Sequence, residues 1–206
     1  MRRDEHLRGD KSKNGMHCQH TPIYFAKYLL ANPDQRAQMS TLSLTFAPQT
    51  VLITGGTNGL GLEAARDIAT KFPSATLILA SRSGETAVQK LSQDLQNNNI
   101  HYMKLDLSSM KQVREFVEQV AGAGYPPITN LLLNAGLQVL GQQKSTDGIE
   151  MTFAVNHIGH FLLFQLLRPH LSPNARITVT ASGVHDPAQK TMIPRTLFIL
   201  LVSALY

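Results

Sequence analysis

From Thr50 onward, short, largely apolar runs alternate with longer stretches in which apolar residues recur every three or four positions. The runs Thr50–Thr54, Ala75–Ala80, Ile100–Leu105, Ile128–Leu133 and Arg176–Ala181 read as strands. Between them Leu62, Ala65, Ile68, Ala69 and Phe72 share one helical face. Ala87, Val88, Leu91 and Leu95 mark a second helix, and Met110, Val113, Phe116, Val117 and Val120 a third. Ile149–Leu167 reads as a long helix that ends before Pro169. Strands that lack polar alternation are covered on both faces, and strict alternation with helices indicates a parallel sheet. Right-handed crossovers then favour an α/β, doubly wound parallel sheet of strand order 3-2-1-4-5.

Residues 1–20 are polar, charged and aperiodic, and read as a loose leader. Ile23–Leu30 has the make-up of one short amphipathic helix, closed by Asn32-Pro33, and residues 39–49 form a Ser/Thr-rich connector. The expected organisation is therefore 1–49 leader and connector, 50–185 folded domain, and 186–206 apolar tail.

Composition narrows the function classes. Of the formal charge of +5, residues 1–40 supply +3 from seven bases and four acids, so no basic stripe marks the folded part and nucleic acid is not an expected partner. The single cysteine, Cys18, excludes an intrachain disulfide framework and a cysteine-rich metal site. No apolar core of a signal peptide follows the early arginines, and no stretch reaches the ~18–20 apolar residues of a membrane span. A cytoplasmic location is expected, with membrane association through the apolar tail as a weaker reading.

Chemistry begins at Thr54-Gly55-Gly56-Thr57-Asn58-Gly59-Leu60-Gly61, between the first strand and the first helix. Glycines at such a turn let the backbone bend tightly and let a pyrophosphate approach, while the amides of the following helix N-terminus face the phosphates. In a Rossmann domain, the residue that meets the adenosine ribose lies about 20 residues further on, at the end of the second strand. Here that position holds Ser81-Arg82 rather than an acid. A guanidinium meets a 2′-phosphate through two-pronged charged hydrogen bonds, and the serine hydroxyl can add another, so NADPH is expected over NADH.

Together with Leu105-Asp106-Leu107, Leu133-Asn134-Ala135-Gly136 and Phe153-Ala154-Val155-Asn156, this turn resembles the short-chain dehydrogenase/reductase family, with motifs in the family's order across residues 50–185. The run from Asp147 to Phe161 is similar to the branch of retinol dehydrogenases, WW-domain oxidoreductases and protochlorophyllide reductases. The resemblance implies that Asp106 accepts from the adenine amino group with the Leu107 amide beside it, the alternative for Asp106 being a helix N-cap. It implies that Asn134, Ala135 and Gly136 line the nucleotide. It implies hydride transfer between NADP and a carbonyl or alcohol of a small molecule, with Ser182 and Asn156 in the places of the family's catalytic serine and asparagine. His157 and His160, three apart, read as ordinary helix residues rather than metal ligands.

The family's Tyr-x-x-x-Lys pair does not follow Ser182: the only later tyrosine is Tyr206, with no lysine after it. The resemblance therefore implies a chain that looks C-terminally truncated, lacks the last strands and is inactive as it stands. A fifth strand left at the sheet edge would then expose apolar surface. Two alternatives are a non-catalytic NADP-binding protein that acts through partners and a membrane-associated vestigial module.

Overall fold

A computed structural model describes residues 49–139 and 141–181. It contains a five-stranded parallel sheet of order β3-β2-β1-β4-β5. The strands are β1 (Thr50–Thr54), β2 (Thr76–Ser81), β3 (Ile100–Lys104), β4 (Ile128–Leu133) and β5 (Leu171–Val179). Helix α1 (Gly59–Lys71) follows β1, α2 (Glu85–Leu95) follows β2, and α3 (Met110–Gly122) follows β3. The long helix after β4, here α4, is built from three consecutive pieces: α-helical Met151–Phe153, π-helical Ala154–Gly159 and α-helical His160–Leu167.

Side chains leave a strand on alternate faces, and the core divides accordingly. Val51, Ile53, Leu77 and Leu79 pack with Ala65 and Ala69 of α1 and Val88 and Leu91 of α2. Leu52, Ile78, Leu131 and Leu133 pack on the opposite face with Val113, Phe116, Val117 and Val120 of α3 and Val155, Leu163 and Leu167 of α4. Each large apolar side chain buried this way contributes about 1.5–3 kcal/mol. Helix α1 meets its face of the sheet through the small, essentially inaccessible Ala65 and Ala69, whereas α3 brings Phe116 to the other face. After β3 the chain passes beyond β1 to form β4, so β1 and β4 flank the point where the winding reverses. A doubly wound sheet binds ligands there, outside the carboxyl ends of its strands.

Several boundaries differ from the sequence reading. Strand β2 lies one residue later, because Thr76 pairs with Thr50 and Ser81 with Lys104. Strand β3 ends at Lys104, one residue before the expected Leu105. Helix α4 starts at Met151 rather than Ile149, since both Glu150 carboxylate oxygens accept from the Thr152 and Phe153 amides and fix the cap there. Strand β5 begins at Leu171 rather than Arg176 and ends at Val179. Leu171 pairs with Ile128 and Arg176 with Asn130, so the intervening residues bulge out around Pro173, which has no amide to give. Ile177 and Val179 of β5 are exposed, as expected of apolar residues on an edge strand. No helix among the described residues is long and apolar enough to cross a membrane.

Candidate functional site

Every candidate binding segment sits at the carboxyl end of a strand: 55–61 after β1, Ser81-Arg82 at the end of β2, Asp106-Leu107 after β3 and Asn134–Gly136 after β4. The glycine turn is clamped on both sides. The Gly55 amide donates to the Ala80 carbonyl at 2.7 Å, and the Asn134 Nδ2 donates to the Thr54 carbonyl at 3.0 Å. Gly55 has φ +66° and Gly59 φ +50°, both in the left-handed region that glycine enters freely. A Cβ on Gly61 would run into the Gly55 carbonyl, so the third glycine lets α1 lie against the turn. Around Gly59, by contrast, nothing lies within 4 Å of a built Cβ, which leaves open space in front of the helix end.

The N-terminus of α1 suits an anion. Asn58 occupies the cap position in an extended conformation, yet its side chain makes no capping bond, and the first turn carries no acid. The first-turn amides are thus free of side-chain caps and carry the positive end of the helix dipole. Leu60 stands 66% exposed beside them. The turn, the uncapped amides and the open space together fit a pyrophosphate.

Thr57 is buried, and its hydroxyl reaches Ser81 Oγ at 2.9 Å and the Ser83 carbonyl at 3.0 Å. It knits the glycine turn to the turn after β2 and does not point at the open space. The Ser81 hydroxyl also donates to the Ser83 carbonyl, so its proton is engaged within the turn. Arg82 is exposed and, among the described residues, makes no ion pair. Behind this turn the Tyr102 hydroxyl donates to the Ser81 carbonyl at 3.2 Å. Burial, with the Glu85 carboxylate second, holds that phenol above its ordinary pKa.

Asp106 is not the N-cap of α3. Ser109 takes that place, its hydroxyl accepting from the Gln112 amide at 3.3 Å. Asp106 Oδ1 instead accepts from the Ser108 amide at 2.9 Å and the Ser108 hydroxyl at 2.7 Å, a local turn that orients the carboxylate. Leu107 is buried. Asp147 Oδ2 accepts from the Met110 amide at 2.9 Å and fastens the segment before α4 to the start of α3.

Beyond β4, the Thr54 hydroxyl oxygen accepts from the Asn134 amide at 2.9 Å and the Ala135 amide at 3.0 Å. Asn134 Oδ1 accepts from the Thr180 hydroxyl at 3.2 Å, just past β5. Asn156 lies in the π-helical turn, where Oδ1 accepts from the Leu137 amide and Nδ2 donates to the Leu137 carbonyl, each at 2.9 Å. A π-helical turn inside an α-helix frequently marks a functional site. His157 stacks on Phe153 at 5.2 Å, whereas His160 is buried beneath the turn. Burial, and secondarily the charge on His157, hold the His160 imidazole below its usual pKa despite its bond to the Asn156 carbonyl. The two histidines therefore serve different surroundings. Ser182 and Tyr206 lie outside the described residues.

With this geometry in place, comparison with known proteins is decisive. The profile described as short chain dehydrogenase matches residues 49–193. The chain belongs to the short chain dehydrogenase family. It is 43% identical over 143 residues to short-chain dehydrogenase TIC 32 A, chloroplastic, of Brassica napus, covering 68% of this chain and 44% of that protein. It is 37% identical over 150 residues to retinol dehydrogenase 12 of Mus musculus, covering 70% and 46% respectively. The chain thus spans less than half the length of these two relatives. Among solved structures, a blue fluorescent protein from a metagenomic library in complex with NADPH aligns with TM-score 0.60 and 25% identity, covering 76% of this chain and 64% of that one. A short chain dehydrogenase of Escherichia coli CFT073, complexed with NADPH, aligns with TM-score 0.56 and 26% identity, covering 68% and 60%.

The sequence reading took His160 as an ordinary helix residue and did not foresee that it is buried with both ring nitrogens engaged. Burial of a polar ring on the inward face of an apolar helix was the available signal. It also missed that the Thr57 hydroxyl faces inward, because residue type in a glycine turn says nothing of which way a side chain leaves the backbone.

Proposed function

We propose that residues 50–185 form the nucleotide-binding unit of an NADP-dependent oxidoreductase that moves hydride between the nicotinamide and a carbonyl or alcohol carbon of a small molecule. The observation that carries this reading is the uncapped N-terminus of α1, which opens onto free space at the switch point of the sheet. The Gly59, Leu60 and Gly61 amides would hold the pyrophosphate, with Thr54, Gly55 and Asn58 shaping the turn before them. Asp106 and Leu107 would meet the adenine, and Asn134, Ala135 and Gly136 would line the nucleotide further along. Arg82, exposed at the end of β2, would pair with a 2′-phosphate, and this supports NADPH over NADH. Two relatives by structure hold NADPH, which agrees with that choice. Bound NADPH would supply the hydride; the protein's share is to orient it and to exchange a proton with the substrate oxygen.

Proton exchange needs further groups beside those that hold the nucleotide. The sequence holds Ser182 and Asn156 but no Tyr-x-x-x-Lys after the serine. A phenol activated by a neighbouring lysine is what brings proton exchange into the neutral range.

Titration by the fluorescence of the reduced nicotinamide tests the reading. NADPH is expected to bind at least tenfold more tightly than NADH, and Arg82→Ala to remove most of that difference. Equal affinities in the parent would refute the preference, and no saturable response to either nucleotide would refute the function.

A further inference from the structure

His160 is 6% exposed and both of its ring nitrogens are engaged. Nδ1 lies 3.2 Å from the Asn156 carbonyl oxygen, and Nε2 lies 2.9 Å from the Thr54 hydroxyl. A carbonyl oxygen only accepts, so Nδ1 must carry the proton. In the neutral ring Nε2 is then an acceptor, and the Thr54 hydroxyl must donate to it. The other choice for that proton, the Leu132 carbonyl, is 3.4 Å away. With its proton committed, the Thr54 oxygen presents its two lone pairs to the Asn134 and Ala135 amides, at 2.9 and 3.0 Å. Three segments are thus joined in one directed series through the ring of His160: the π-helical turn of α4, the end of β1 and the segment after β4.

That series has a place along a bound dinucleotide. Arg82 and Asp106 stand at the ends of β2 and β3, on the adenosine side of the switch point. Asn134 and Ala135 stand beyond β1 on the other side, where the nicotinamide half must extend. We propose that His160 is a positioning residue: as the Nδ1–H tautomer it orients the Thr54 hydroxyl, which sets the Asn134-Ala135 backbone against β1 and so fixes the seat of the nicotinamide half. The inference rests on the nucleotide-binding reading above.

The test uses the full chain with two ligands, NADPH and adenosine 2′,5′-bisphosphate, the second lacking the nicotinamide half. In His160→Leu, NADPH is expected to bind about tenfold more weakly, with a diminished rise in nicotinamide emission. Adenosine 2′,5′-bisphosphate, measured by calorimetry, is expected to stay within about twofold of the parent. His160→Gln can donate to the Asn156 carbonyl and accept from Thr54, and is expected to restore NADPH affinity to within about threefold. Thr54→Val, which keeps the shape and removes the hydroxyl, is expected to reproduce the leucine pattern. Parent-like NADPH binding in His160→Leu would overturn the role. So would an equal weakening of both ligands that glutamine fails to rescue, since that marks a general loss of fold. Should His160→Leu not fold, the glutamine and valine variants decide alone. A parent that answers to neither ligand would overturn the nucleotide-binding reading and this role with it, whereas a binding parent matched by His160→Leu overturns this role only.

Discussion

Asn156 and Leu137 are paired through both ends of the asparagine amide, at 2.9 Å each, which ties the segment after β4 to the π-helical turn of α4. The pairing copies what one strand does for its neighbour, with a side chain in place of a second backbone. It needs a donor and an acceptor side by side at the end of one short planar group, which the asparagine amide offers at neutral pH.

Replacement of Asn156 should follow from that requirement. Asn156→Ala is expected to cost about 1 kcal/mol, because the site is exposed and water can satisfy Leu137. Asn156→Asp is expected to cost more than alanine at neutral pH, since a carboxylate oxygen would face the Leu137 carbonyl without a proton between them. Urea denaturation of the three proteins ranks them, and an aspartate variant as stable as the parent would show that the amide nitrogen contributes nothing.

The glycines of the turn should separate by mechanism. Gly61→Ala places a Cβ against the Gly55 carbonyl and 2.7 Å from Asn134 Nδ2, so α1 must shift. Both stability and NADPH binding are expected to fall, binding by a hundredfold or more. Gly59→Ala meets no protein atom within 4 Å but holds φ +50°, at about 1–2 kcal/mol. Its melting temperature should drop only modestly, while its methyl group, directed at the phosphates, weakens NADPH at least tenfold. Calorimetric melting and fluorescence titration, run side by side, check both.

Stability should also depend on pH through His160. Burial depresses its folded-state pKa below the ordinary value near 6.5, so the unfolded chain takes up the proton first. The contribution is complete above about pH 6.5 and is lost as pH falls from there through the depressed folded value. The urea midpoint is expected to decline between pH 7.5 and 5.5, and less steeply in His160→Gln. Identical slopes in both proteins would assign the decline to other groups.

The sheet was legible because its strands are short, largely apolar runs and its helices show a clear three-to-four spacing. Strand β1 and strand β4 match the residues expected of them. The start of β5 was not legible, since Ser172, Pro173 and Asn174 look like a turn and are admitted only because the bulge lets them leave the ladder. The π-helical turn was equally invisible: Ala154–Gly159 carries no residue that separates it from an ordinary helix. At the site, the glycine spacing told where the backbone turns tightly ahead of the helix, because that is a backbone property. The hydroxyls of Thr54, Thr57 and Ser81 could not be assigned in advance, because which partner each one takes depends on strands brought together over 24 to 106 positions of sequence.

Helix α1 meets the sheet through the small side chains of Ala65 and Ala69, whereas α3 and α4 meet the opposite face through Phe116 and leucines. The two sides consequently differ in their tolerance for added bulk. An extra methylene beneath α1 has nowhere to go except into the helix axis, and any tilt of that axis swings its first-turn amides away from the sheet's winding reversal. Volume errors in this fold are thus unequal, and those nearest the glycine turn are transmitted directly to whatever anion it holds.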